Sequence, residues 1–291
     1  MNRANDELAA ILERETDFWN RKARADGPSP EASPISLEDR SDPAMPWLPY
    51  MGVPQFFAAM LDALGDVRGK RVLDIGAGTG FLSAALALRG AEVVACDIAG
   101  EALAIAGSRA TATGVAEKVQ LHRSCAEELD LPDENFDAVA GLFILHHLQL
   151  DKAAREVRRV LRPGGAAAFI ETSGTNPMLM FFRRHLTGRF GIAKAGTVDE
   201  RPLDWEADRI LREVFGDANV TYRYPEVMMF RMLAANVPIL RADIVKSGLG
   251  WMDRIAWRLP AMRPWSYFKT VALRVPGDGS IAPTAAPSGG L

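Results

Sequence analysis

The chain has 291 residues, with 34 Lys or Arg against 37 Asp or Glu, for a net charge of −3. That balance excludes a surface built throughout for nucleic acid, and 48% hydrophobic with 24% charged residues excludes wholesale disorder. The apolar run 138–145, broken by Gly141, is far too short to span a bilayer. The first residues are charged throughout and lack the apolar stretch and small-residue cleavage site of a signal peptide. Cys96 and Cys125 are the only cysteines, so neither a disulfide framework nor a zinc site is expected, and a cytoplasmic location is the default.

Residues 5–24 bring Leu8, Ile11, Leu12, Glu15, Phe18 and Trp19 together at helical spacing. The stretch 27–49 carries Pro28, Pro30, Pro34, Pro43, Pro46 and Pro49, too many for a regular helix, and reads as a connector or lid arm. From residue 54, helices at 54–64, 81–88, 101–113 and 150–161 alternate with strands at 71–75, 92–97, 119–122, 136–143 and 166–171. RPGG at 162–165 reads as a turn. This alternation predicts an α/β fold with a parallel sheet covered on both faces. A helix at 205–215, strands at 219–224 and 268–275, and a tail at 277–291 of disordered composition follow. No internal repeat is present.

The segment VLDIGAGTGFL, residues 72–82, runs an apolar strand into Gly76, Gly78 and Gly80 and then a helix. Such glycines let a ligand approach the backbone at the mouth of a parallel sheet. A dinucleotide fingerprint needs a small residue where Phe81 stands, and no GK[ST] marks a phosphate loop. Asp74, two residues before Gly76, suits an ammonium and sits badly beside a pyrophosphate. Asp97 ends the next strand, where an acid accepts the hydroxyls of a ribose. Cys125, Ala126, Glu127 and Leu129 form a turn able to grip an adenine after the third strand.

Together with DIGAGTG, the acid in ACDIA, CAEELDLPDENFD, GLFILHHL and LRPGG, these residues resemble the class I S-adenosylmethionine-dependent methyltransferases, in the branch that methylates small molecules and lipids. The resemblance covers 54–171. It implies a Rossmann-like, doubly wound, seven-stranded sheet with an antiparallel last strand, and S-adenosylmethionine as cofactor. It implies that Asp74, Gly76, Gly78 and Thr79 hold the methionyl part, and that Asp97 with Ile98 holds the ribose. Ala126 and Glu127 would meet adenine, Leu142 and Phe143 would line the methionine side, and Tyr50 would close over the cofactor. The expected organisation is a helix and lid arm at 1–50, a cofactor-binding core at 51–175, a C-terminal half with substrate-pocket or cap insertions at 176–276, and a tail at 277–291.

Candidate bases are His146 and His147 after the fourth strand and Glu171 at the end of the fifth, all at the carboxyl edge of the sheet. His122 and His185 show no partners, no His, Asp and Glu set has metal spacing, and no metal is expected. The insertion after Glu171 carries Arg183, Arg184, Arg189 and Lys194. Residues 221–275 hold nine Lys or Arg against three Asp or Glu, a local +6. Trp251, Met252, Ile255, Ala256 and Leu259 form a helical stripe, which Gly248, Gly250 and Pro260 are expected to confine to two or three turns. That stripe is either a cap packed on the core or on a second subunit of a homodimer, or a pocket or membrane-surface face.

GLFILHH stands where the family's nucleic-acid amino-methylating members carry an (N/D/S)PP(Y/F) motif, so nucleic acid is not expected as a partner. The expected reaction is methyl transfer to O, N or C of a hydrophobic or anionic small-molecule or lipid-like acceptor. The rivals are another transfer with the same cofactor, a binding-only protein, and a nicotinamide dehydrogenase disfavoured by Phe81 and Asp74.

Overall fold

The computed structural model describes residues 3–25, 53–185, 201–230 and 243–277. The connector at 27–49, Tyr50, residues 278–291 of the tail, and Arg189 and Lys194 lie outside the described residues. Helix α1 spans Arg3–Ala25 and α2 Val53–Leu64. There follow β1 (Arg71–Ile75), α3 (Phe81–Leu88), β2 (Glu92–Asp97), α4 (Gly100–Ala112), β3 (Val119–Arg123), β4 (Phe136–Leu142), α5 (Leu150–Val160) and β5 (Leu161–Thr172). The described chain continues with α6 (Pro177–His185), α7 (Trp205–Phe215), β6 (Val220–Arg223), α8 (Asp243–Arg258) and β7 (Phe268–Arg274).

The strands build one seven-stranded sheet in the order β3-β2-β1-β4-β5-β7-β6. β1 to β5 pair in parallel, and β7 runs antiparallel to both β5 and β6. The doubly wound, seven-stranded sheet with an antiparallel last strand is therefore as expected. Strand alternation sorts its side chains into two cores. Val72 joins Phe56, Met60 and Leu86 beneath α2 and α3, while its neighbour Leu73 joins Phe136, Phe169, Leu211 and Phe215 on the other face. Burial on both faces is why the central strands read as nearly continuous apolar runs. The chain leaves β1 toward β2 on one side and returns to β4 on the other. The carboxyl ends of these strands consequently flank a crevice.

Two elements differ from the sequence expectation. β5 begins at Leu161, not 166, because Leu161 pairs with Phe136; a register shift then absorbs the RPGG stretch, in which Gly164 has φ 80°. Helix α8 runs through Gly248 and Gly250 instead of starting after them. Each glycine disfavours a helix by about 1 kcal/mol, and tertiary contacts outweigh this. Asp253 accepts the Phe230 N–H at 2.9 Å, and Ala256 packs with Val227 and Met229. Of the stripe, Ala256 alone packs inward, whereas Trp251, Met252, Ile255 and Leu259 are exposed.

Candidate functional site

A cavity of about 260 Å³ opens at the carboxyl ends of β1, β2 and β4. The glycine loop forms its floor. Gly76, Gly78 and Gly80 have φ of 67°, 51° and 79°, the left-handed region that disfavours other residues. A Cβ on Gly76 would lie 2.5 Å from Ile144 Cγ1, and one on Gly80 2.6 Å from Ala106 Cβ. Gly78 has open space where its Cβ would be, and its N–H donates to Asp97 Oδ2 at 2.8 Å.

Asp74 lies on the cavity wall, almost wholly buried. Its Oδ2 accepts the Ser83 hydroxyl at 2.6 Å, and its Oδ1 has no hydrogen-bond partner. Burial pushes its carboxyl up to about 7, opposed by the Ser83 bond and reinforced by the nearby Asp97 charge. Asp97, at the end of β2, also accepts the Ala99 N–H at 2.8 Å through Oδ1. Burial raises its carboxyl too, and the backbone donors pull it back down. Thr79 and Ile98 complete this part of the wall.

Ala126 and Glu127 reach the cavity from a turn closed by the bridge between Cys125 and Glu128. Glu127 Oε1 accepts the Gln149 N–H at 3.1 Å, and Oε2 lies 3.0 Å from the Cys125 thiol. Burial and that carboxylate hold the thiol up at about 12, so Cys125 is not a nucleophile. Leu142 and Phe143 line the side after β4. Phe143 has φ 55°, a strain of about 1–3 kcal/mol, and its ring stands 5.0 Å from that of Phe268.

The three candidate bases separate. His147 lines the cavity, whereas His146 and Glu171 do not. Glu171 is fully buried behind the wall, where Oε1 accepts the N–H groups of Ile144 (2.9 Å) and Leu145 (2.7 Å) and Oε2 meets His146 Nδ1 at 2.7 Å. His147 is pushed down to about 3, chiefly by burial and then by the charges of His146, Lys22 and Arg183. The His147 ring is 5.3 Å from Trp19, edge to face, and 4.2 Å from His146. His122 and His185 lie elsewhere, the latter against Phe181. Among the described residues no group of His, Cys, Asp and Glu could hold a metal ion.

Sequence reasoning missed several contributors. Leu12, Glu15 and Trp19 of α1 form a wall of the cavity. The Trp19 indole donates to Glu15 Oε2 at 2.9 Å, and Asn20 Oδ1 accepts the Glu101 N–H at 3.2 Å to anchor α1 on α4. Their shared helical face was visible in the sequence, but its destination was not. Ser83 and Arg109, whose Nε donates to the Thr79 carbonyl at 2.8 Å, carried no signal. Each is an ordinary helical residue until the fold sets it beside the loop.

Residues 73–169 match the family described as a methyltransferase domain. A phosphatidylethanolamine N-methyltransferase of Cereibacter sphaeroides is 31% identical over 153 residues, which is 52% of this chain and 70% of that protein. The chain belongs to the class I S-adenosylmethionine-dependent methyltransferase family. A ubiquinone biosynthesis O-methyltransferase of Pseudomonas syringae is 37% identical over 125 residues, 42% of this chain and 52% of the relative. The chain thus spans about half the length of several curated relatives it matches. The crystal structure of the [4+2]-cyclase SpnF shares the fold with a TM-score of 0.57 at 17% identity, covering 91% of this chain and 97% of that one.

Proposed function

We propose that this protein binds S-adenosylmethionine in the glycine-loop cavity and transfers its methyl group to O, N or C of a hydrophobic or anionic small-molecule or lipid-like acceptor. The observation that carries the reading is the buried, unpartnered Oδ1 of Asp74 on the cavity wall. A buried carboxylate oxygen without a donor costs about 1–3 kcal/mol, and a ligand ammonium would satisfy it. Asp97 accepts from the Gly78 and Ala99 N–H groups, with the Ile98 N–H as a further backbone donor, and a carboxylate offers about four acceptor positions, so capacity remains for a ribose hydroxyl. Ile98 would flank the ribose beside Asp97, Ala126 and Glu127 would bound the adenine, and Gly76, Thr79, Leu142 and Phe143 the methionyl chain.

The bound cofactor supplies an activated methyl electrophile. The chain's own residues orient it and exclude water, with Leu12, Trp19 and Phe143 as apolar lining. Burial biases His147 toward the neutral imidazole, with the Glu15 carboxylate 3.6 Å from its Nδ1, so it serves as a hydrogen-bonding wall. His146 and Glu171 are positioning residues, since the carboxylate of Glu171 ties down the segment that carries Ile144 and Leu145. The names of the curated relatives, a ubiquinone biosynthesis O-methyltransferase and a phosphatidylethanolamine N-methyltransferase, favour an apolar or lipid-like acceptor. A second reading keeps the cavity and changes the reaction, because a [4+2]-cyclase shares this fold.

Calorimetric titration with S-adenosylhomocysteine, with NADH as control, tests the site. Micromolar binding of the first alone is expected, and Asp97→Ala should weaken it about ten- to a hundredfold. NADH binding without S-adenosylhomocysteine binding would overturn the assignment. A product heavier than its acceptor by one methylene unit separates methyl transfer from the second reading.

A further inference from the structure

We propose that α8 and the turn after it form a docking face for an anionic lipid surface. The inner side of the helix is fixed: Asp253 and Ala256 are buried, and the Trp257 indole donates to the Tyr224 carbonyl at 2.9 Å. The outer side is apolar and open, with Trp251 59%, Met252 41%, Ile255 39% and Leu259 54% exposed. Soluble surfaces rarely gather such side chains along one helix and the residue that follows it, and a patch of this kind marks an interaction site. Among the described residues no helix is long and apolar enough to cross a membrane, so a bilayer would be met in its interfacial plane.

Charge selects the occupant. Arg254 and Arg258 are exposed on the same helix, and Arg263 lies over the Trp257 ring at 5.0 Å. Between residues 244 and 268 the one acid is Asp253, turned inward onto the Phe230 N–H. On a chain of net charge −3, this concentration of cations beside tryptophan and leucine complements an anionic headgroup layer. A second copy docked through a two-fold axis would set this basic patch against the same patch of its partner, which like-charge repulsion opposes.

The face also adjoins the cavity's edge of the sheet. Thr175 and Asn176, just past β5, donate to the carbonyls of Pro264 (2.9 Å) and Trp265 (2.6 Å). The ring of Phe268, the first residue of β7, meets that of the cavity residue Phe143 at a tilt of 56°. A surface held here would present lipid-borne acceptors at the edge where the cavity opens, although the docking itself does not depend on what the cavity binds.

Co-sedimentation of the full chain with phosphatidylglycerol vesicles, against phosphatidylcholine vesicles, tests the face. Binding to the anionic vesicles is expected to be at least about tenfold tighter and to fall as salt is raised. Arg254→Gln with Arg258→Gln should weaken it about twenty-five-fold, at roughly fivefold per cation. Trp251→Ser with Leu259→Ser should weaken binding to both lipids, and all these variants should keep wild-type affinity for S-adenosylhomocysteine. Absence of vesicle binding overturns the proposal, as does full binding by the Trp251 and Leu259 variant. A dimer that Trp251→Ser dissociates would also overturn it, because the face would then join two copies. Vesicle binding by a protein that ignores S-adenosylhomocysteine would leave the docking face standing and remove the cofactor reading.

Discussion

Buried between β1 and the start of α3, the Asp74 carboxyl keeps one oxygen on Ser83 and the other without a hydrogen bond. Its raised value of about 7 reflects burial above all, and this has consequences of known sign. An ammonium ligand prefers the carboxylate, so affinity for S-adenosylhomocysteine should rise about tenfold per pH unit below about 7 and level off above it. Without ligand, the folded state holds a proton that the unfolded chain has already lost. Stability from this group therefore falls as pH climbs from about 4 to 7. Titration calorimetry between about pH 5.5 and 8 checks the first effect; Asp74→Asn should flatten it, and a flat wild-type profile would refute the role given to Asp74. At this scale the sequence was informative wherever position along a strand dictates exposure, as for Asp74 and Asp97. It was uninformative for Glu171, because an acid at a strand end looks the same whether it faces a cavity or three donors behind its wall.

At the scale of elements, α1 is the least expected part of the site. Its Trp19 ring is held by Glu15, by Lys22 at 4.9 Å and by the edge contact with His147. Trp19→Ala should leave the sheet intact while opening one side of the cavity. An aromatic contact of about 0.5–1.5 kcal/mol corresponds to roughly two- to tenfold faster release of S-adenosylhomocysteine. Stopped-flow displacement measures this, and an unchanged rate would mean that α1 does not cover bound ligand. Helix α8 teaches the opposite lesson about local signals. Its two glycines weaken a helix but do not end it when Asp253 and Ala256 have partners on the core.

Across the whole molecule, the central strands carry the stability. Phe169 of β5 is fully buried, and its ring leaves no room for a side chain at position 141. Phe169→Ala should cost about 3–5 kcal/mol, read as a lowered urea midpoint with an unchanged slope. A loss under about 1 kcal/mol would show that the sheet repacks around the gap. The strand order places the cavity at the carboxyl ends of the paired strands β1 and β4, where the chain order reverses, and the same sheet edge receives α1 and the segment after β5.

By itself the sequence determined the alternation of strands and helices, the glycine loop, and the two acids at the carboxyl ends of β1 and β2, Asp74 next to last and Asp97 last. Each follows from spacing within about a dozen residues, where side-chain periodicity and backbone sterics act alone. Only the tertiary structure decided which charges lost their water, that Ser83 and Arg109 brace the loop, that α1 closes the cavity, and that the apolar side of α8 faces outward. Those outcomes depend on contacts between residues far apart in the chain, and burial and pKa are properties of the neighbours a residue acquires when the chain folds.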